Sequence, residues 1–381
     1  MPMPSERVRV EVGGRAHDDW SSYEIDSDLL VPADAWNVSV GLIGGDVPAD
    51  VFPGQPVAIF VGDDQVMTGA IDDITHVVSK DRRDLHVAGR DRAALLVDCS
   101  APVFTRKQCS LDEVITAVVR ALGITKYEIR AGDVPKARRR EKINVEPGDS
   151  AWSVLSNAAE ALGLWPWFEP DGTLVVGGPD YAAPPVATLL MYRSETRRAK
   201  NNMISLTQRE NVAGRYSHLT VLGQTHGTDA EQGKHALKYT AVDEGMPVYR
   251  PRIVIDHEAD TPAICASRAR KLIAETRLKG FTLSATVAGH RINAPGQPGH
   301  GTLWSPGMRV RVISEPHYVN GVYFLMARKF TGGREQAPRT LLTLKEDKAW
   351  VLDAHPHKNR HRRGKNEAAL QIPDLTKGAA Q

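Results

Sequence analysis

Apolar residues alternate with their neighbours along the first hundred positions. Val8, Val10 and Val12 alternate with Arg7, Arg9 and Glu11. Trp36, Val38, Val40 and Leu42 alternate with Asn37, Ser39 and Gly41, and Val57, Ile59 and Val61 with Pro56, Ala58 and Phe60. A period of two buries one strand face and leaves the other outside. Gly62, Asp63 and Asp64 predict a turn into a strand from Gln65 to Ile71, and Lys80 to Asp84 a polar hairpin tip before Leu85 and Val87. Short, evenly spaced strands with tight turns predict an antiparallel barrel or sandwich.

The period changes after Cys99. Ser110 and Glu113 have capping-box spacing, and Leu111, Val114, Ile115, Val118, Val119 and Leu122 follow at helical intervals. Gly123 suits the C-cap, because it tolerates positive φ. A second helix is predicted after Pro147 and Gly148, with Asp149 or Ser150 as N-cap, an apolar stripe of Trp152, Leu155, Ala159 and Leu162, and Gly163 at its end. Trp165, Trp167 and Phe168 lead through Pro170, Asp171 and Gly172 to Leu174 and Val176, a hairpin. Residues 100–180 therefore read as a small α/β module, and Gly177 to Pro185 as a linker.

Strand character returns near Met203, then at Ser217, Leu219 and Val221. Asp260 or Thr261 is placed to cap a helix with Pro262 in its first turn, Ala269, Leu272, Ile273 and Thr276 on one face, and Gly280 at its end. Phe281, Leu283, Ala285 and Val287 then alternate, as do Val310 with Val312, Val322 with Phe324 and Met326, and Leu342 with Leu344. This is a second all-β unit with a helix-bearing insertion. From His355 to Arg363 the chain is polar and basic, which predicts a solvated tail.

Composition narrows the function classes. The 381 residues are 41% hydrophobic and 25% charged, ordinary globular values. There are 48 Lys plus Arg against 46 Asp plus Glu, a net charge of +2 that argues against wholesale nucleic-acid binding. The three cysteines, Cys99, Cys109 and Cys265, are odd in number and lack metal or redox spacing, so a reducing compartment at the time of folding is expected. The N-terminus lacks the pattern of a signal peptide, and no apolar run reaches membrane-spanning length; the nearest, Tyr181 to Tyr192, carries Pro184 and Pro185.

Catalytic and ligand motifs fail on spacing. Gly227 to His235 has five residues between its glycines, not the four of a phosphate loop, and ends in His. His257 and Glu258 start a zinc-protease pattern, but Thr261 stands where the second His belongs. Ser150 lacks the second glycine of a nucleophile elbow. The carboxylate pairs Asp63–Asp64 and Asp72–Asp73 read as turn residues rather than acid–base pairs. The basic run Lys136 to Lys142 has no interleaved aromatics to stack bases, and the tail's histidines and arginines read as solvated. One sharper alternative remains: Asn144 to Gly163 resembles the start of a peptidoglycan-binding LysM module, which would make the chain a wall-binding or muralytic tail-associated protein. No catalytic, cofactor-binding or metal residue is assigned, no cofactor is expected, and interface residues are left open.

Five ordered segments carry a resemblance. They are Thr68 to Asp73; Val87 to Asp91 continuing through Leu95 to Ser100; Glu146 to Leu164 with Asp171 to Val176; Asn202, Ile204, Tyr216, Ser217, Val221, Gly223 and Gln224; and the helix from Asp260, Thr282 to Gly289, then Leu303 to Val312. Taken in order, they resemble the phage Mu-type baseplate hub family, which includes the late control protein D-like hubs, over roughly residues 5 to 345. The resemblance implies an α+β, mainly β chain with two tube-like antiparallel β-barrel domains and inserted α/β and helical modules. The expected domains are 1–98, the first barrel; 99–185, the α/β module; 186–225 with 281–345, the second barrel; 226–280, the insertion; and 346–381, the basic tail. It also implies a non-catalytic homotrimer in the baseplate of a contractile phage tail or phage-derived tailocin, assembled in the host cytoplasm, that joins the tail tube to the spike and nucleates baseplate assembly. Its expected partners are the spike protein, the tube and other baseplate proteins and a tape measure protein, with no membrane insertion and no specific nucleic acid.

Overall fold

The chain is described here from a computed structural model, which covers residues 5–352 except 42–48, 50, 82, 131–139, 161, 225–235, 257–258 and 260–261. The alternating segments form strands as expected. Val8–Val12, Ala35–Gly41, Pro56–Val61, Asp64–Val78 and Arg83–Asp91 are joined by Arg15–His17 and Ser22–Asp28 into the first β unit. Ala187–Met191, Ser205–Glu210, Phe281–Ala288, Arg309–Ser314, Val319–Gly332 and Arg339–Glu346 form the second.

The two units share one sheet. Strand Val319–Gly332 spans both: its first part pairs with Arg309–Ser314, and its last residues, Ala327 to Gly332, pair antiparallel with Asp28 to Tyr23. The buried faces of both units merge into one core that runs from Val8, Ile25, Trp36 and Ile59 to Leu283, Val310, Phe330 and Leu344. Burial on this scale is what lets so many strands hold register.

Asp72 departs from the sequence reading. The strand does not end at Ile71 but continues to Val78, and the register shifts between Ile71 and Asp73. Asp72 is thus the extra residue of a β-bulge, not a turn residue.

The α/β module has its own core around Leu96, Val114, Ile115, Leu155, Leu162 and Leu174. Helix α1 spans Ala93–Asp98, α2 Leu111–Val119 and α3 Ala151–Glu160, and a single turn, α4, Glu195–Arg198, follows in the second β unit. The capping box is real: Glu113 N–H donates to Ser110 Oγ (3.3 Å) and Ser110 N–H to Glu113 Oε2 (2.9 Å). A single 3₁₀ turn follows α2, and Gly123 closes it at φ 73°. Ser150 caps α3 through Ser153 N–H (3.1 Å), whereas Asp149 accepts from Glu146 N–H (2.9 Å). Trp165–Phe168 pairs antiparallel with Leu174–Gly177, which also pairs parallel with Tyr127–Arg130. Because α1 packs into this core through Leu96, the module's core takes in residues before 99.

The helix-bearing insertion is larger than expected. Strand His218–Gln224, placed by its sequence with the second barrel, pairs instead with Ala236–Val242 and Pro251–Ile255 in a separate three-stranded sheet. Helix α5, Pro262–Gly280, covers one face, with Cys265, Ala269 and Ile273 against Leu219, Val221 and Ala241. Pro262 opens α5 and Gly280 ends it as predicted, while the proposed caps Asp260 and Thr261 lie outside the described residues.

Candidate assembly interface

The seam between the β units concentrates the buried polar groups. Arg291 is 3% exposed, yet its guanidinium belongs to the second unit and reaches into the first. It donates to Asp64 Oδ2 (2.6 Å) and to the Val61 carbonyl (3.0 Å). Beside it, the Tyr23 hydroxyl lies 2.8 Å from His290 Nε2, and His290 Nδ1 lies 3.2 Å from Thr340 Oγ1. Thr340 donates its own proton to the Gly289 carbonyl (2.6 Å), so it accepts from Nδ1–H, and Nε2 accepts from Tyr23. His290 is fully buried beside Arg328 and Arg291. Burial first, then those two cations, push its pKa down to about 3, so the ring is neutral.

Arg328 lies on the seam strand itself. It donates to the Ile25 carbonyl across the junction (2.9 Å) and stacks over Phe330 at 3.9 Å. Burial lowers its pKa to about 10, against the pull of Asp34 and Asp26. Burial raises the Asp34 carboxyl to about 6 and holds Asp91 well above the usual carboxylate range, where the charge of Asp34 adds to the effect. Asp91 also accepts from Ala93 N–H at the start of α1 (2.9 Å).

A cavity of about 470 Å³ opens where the first β unit, the α/β hairpin, the 178–186 segment and the second β unit meet. Thr68 donates to the Pro170 carbonyl there (2.8 Å), and Arg309 holds Asp347 (2.6 Å) and the Ala183 carbonyl (2.7 Å). Lys271 of α5 forms a largely buried ion pair with Glu160 of α3. These contacts lock the modules together.

Of the residues weighed as chemistry in the sequence, Ser150, Asp64, Asp72 and Asp73 make structural contacts. Ser150 is an N-cap, Asp64 holds Arg291, and Asp73 accepts from Thr75 (3.0 Å). Asp72 and Asp98 both hold Arg90, each with a contact of 2.6 Å, and these bonds draw the Asp98 pKa down. This explains the Gly89-Arg90-Asp91 to Cys99-Ser100 stretch. Arg90 ties the first sheet to the end of α1, and Asp91 accepts from Ala93 N–H at its start. A Cβ on Gly89 would stand 2.0 Å from the Ala70 carbonyl oxygen and 2.9 Å from the Trp36 ring. Cys109 and Cys265 are buried and Cys99 is partly so. Most of the Lys136 to Lys142 run, the Gly227 to His235 segment, His257, Glu258, Thr261 and the tail from His355 lie outside the described residues. Among the described residues, no group of three or more His, Cys, Asp or Glu could hold a metal, and no helix is long and apolar enough to cross a membrane.

What the molecule offers outward is surface. The sheet face opposite α5 carries Val242, Ile253 and Ile255, with Tyr249 set edge-on to His218 nearby. The hairpin tip after Ser314 holds up Tyr318, which is 91% exposed. The sequence reading passed over Tyr318 and the seam residues alike. Burial of His290, Arg291 and Arg328 follows from partners hundreds of positions away and leaves no local periodicity.

The comparisons follow the same order along the chain. Residues 7–91 match the Mu phage baseplate assembly protein GpP-like N-terminal domain, and 93–178 the second domain of baseplate hub protein gp44-like chains. Residues 215–273 match the third domain of tail protein NMB1110-like chains, and 275–349 a tail protein C-terminal domain. The chain is 38% identical to the tail protein from Neisseria meningitidis MC58, covering 91% of this chain and 98% of that one with a TM-score of 0.77. It is 23% identical to baseplate hub protein gp44 of Escherichia phage Mu, over 85% of this chain and 83% of the relative. The 43 kDa tail protein of prophage MuSo2 from Shewanella oneidensis has the same fold, at 21% identity and a TM-score of 0.77, covering 92% and 99%. The match over 93–178 takes in Asn144 to Gly163, so the LysM-like segment belongs to a hub-type second domain.

Proposed function

We propose a function from one premise: this chain belongs to the Mu-type baseplate hub family of phage tail proteins. It is a structural baseplate hub protein. In the finer reading it is non-catalytic, forms a trimeric ring, and sits in the virion tail baseplate between the tube and the central spike. Assembly takes place in the host cytoplasm, where the ring nucleates the baseplate and meets spike, tube, other baseplate and tape measure proteins.

The observation that carries this reading is the shared sheet. Two β units in one subunit are fused through Tyr23–Asp28 and Ala327–Gly332. Three such subunits would present six β units around an axis. That arrangement suits a sixfold tube on one side and a threefold spike on the other. A cyclic ring also covers exposed strand edges, which a lone subunit would leave free to pair wrongly. The first and second β units act as the two tube-like domains, and the α/β module and the α5 insertion brace them.

Light scattering on the purified chain tests the ring. Three chains of 41.7 kDa make about 125 kDa, the mass expected. A 41.7 kDa species at every concentration, persisting after spike protein is added, contradicts it.

A further inference from the structure

The turn Glu315–Tyr318 combines strain, exposure and charge in one place. Tyr318 has φ 55°, a left-handed conformation that bulky side chains rarely adopt. Its ring is 91% exposed, so no burial within the chain offsets that strain. The turn is nevertheless firmly held. Ser314 Oγ lies 2.8 Å from His317 Nδ1, Tyr318 N–H donates to the Glu315 carbonyl (3.2 Å), and Glu315 N–H to the Met191 carbonyl (3.0 Å).

Glu315 also fastens a basic segment beside the tip. Its carboxylate accepts from Arg193 N–H (3.0 Å) and pairs with Arg197, which stacks over Tyr192 at 4.8 Å. Arg193, Arg197, Arg198 and Lys200 are all exposed, against Glu195 and Glu315. Among the described residues, Arg193 and Lys200 have no carboxylate partner. An exposed tyrosine on a held turn, whose Glu315 fastens an arginine-bearing segment, combines residue types enriched at interface hot spots, and holding it ready in advance lowers the entropy lost on docking.

We infer that this tip is a docking surface for an acidic face of another tail protein, with Tyr318 as its anchor. The occupant follows from charge complementarity: Arg197 and Arg198 are paired with Glu315 and Glu195, which leaves the excess positive charge of Arg193 and Lys200 to seek carboxylates, while the phenol ring seeks a shallow apolar pocket. A nucleic acid fits less well, because one aromatic makes no stacking platform. The identity of the partner as a tail protein rests on the hub reading; the surface itself does not.

The test uses the full chain, with Tyr318→Asn and the pair Arg198→Glu, Lys200→Glu. The probes are the purified tube and spike proteins encoded alongside this chain, and a short duplex DNA. The wild type is expected to bind one of the two proteins. Tyr318→Asn should bind it at least about tenfold more weakly. Its thermal midpoint should hold or rise by about 2 °C, since Asn accepts positive φ. A tyrosine placed for folding alone would not give weaker binding with an undiminished midpoint. The charge pair should weaken binding and flatten its salt dependence. Both variants should keep the wild-type solution mass, so failure of the ring would be read separately. Unchanged affinity in both variants, no binding of either protein by the wild type, or tighter binding to the DNA would each overturn the inference.

Discussion

Replacing His290 with Gln should remove a specific part of the chain's acid sensitivity. In the folded chain His290 titrates near 3, because burial and the neighbouring cations Arg328 and Arg291 disfavour the imidazolium. In the unfolded chain it titrates near an ordinary ~6.5. Since the folded pKa is the lower, the neutral ring's stabilisation is fully present above about pH 6.5 and is lost as pH falls towards 3. At pH 4.5 the unfolded state has gained from protonation by roughly a factor of 100, about 2.7 kcal/mol. The buried carboxylates Asp34 and Asp91 act in the opposite sense, because their folded pKa values are raised. They are present in both proteins and cancel in the difference. Urea denaturation at pH 7.5 and pH 4.5 measures it. Wild type should lose on the order of 2–3 kcal/mol more than His290→Gln over that interval. The variant itself starts lower at pH 7.5, by about 1–3 kcal/mol, where Tyr23 or Thr340 is left without its partner. Equal losses in the two proteins would refute the neutral, buried histidine as the acid-sensitive group of the seam.

Three further outcomes follow from the same contacts. Asp91→Asn keeps an acceptor for Ala93 N–H but removes a carboxyl that resists ionising. Because the folded pKa is the higher, wild type loses stability as pH climbs above the ordinary carboxylate range of about 4, so the variant's stability relative to wild type should be greater at pH 9 than at pH 4, read by denaturation at the two pH values. Lys271→Met removes the buried ion pair between α5 and α3 and should cost roughly 1–3 kcal/mol, and the coupling between Lys271→Met and Glu160→Gln should be of the same sign; a double-mutant cycle by chemical denaturation reads both. Gly89→Ala forces a Cβ against the Ala70 carbonyl and the Trp36 ring, so soluble yield should collapse or the thermal midpoint fall by about 5 °C or more.

Local chemistry was legible in the sequence wherever a signal is local. The capping box at Ser110 and Glu113, the helix opening at Pro262 and the alternation of Val8 to Val12 all stand as read. Helix α1 was missed because six residues carry less than two turns of periodicity. Strand His218–Gln224 was assigned to the wrong sheet because alternation reports a buried face but not the partner that buries it. The bulge at Asp72 read as a turn because Asp-Asp is common in both. The seam was invisible for a different reason. Tyr23, His290, Arg291 and Arg328 are polar residues whose burial is set by pairing between strands about 300 positions apart. The ordered resemblance, by contrast, was carried by residues that fix turns, caps and close approaches such as Gly89, Arg90 and Asp91, and those positions are readable one segment at a time.

Location in the particle tests the central claim most directly. Cryo-electron microscopy of tails assembled with this chain should show three copies in a ring at the end of the tube, above the spike, with six β units around the channel. A tail whose tube meets its spike without this chain between them would contradict the account.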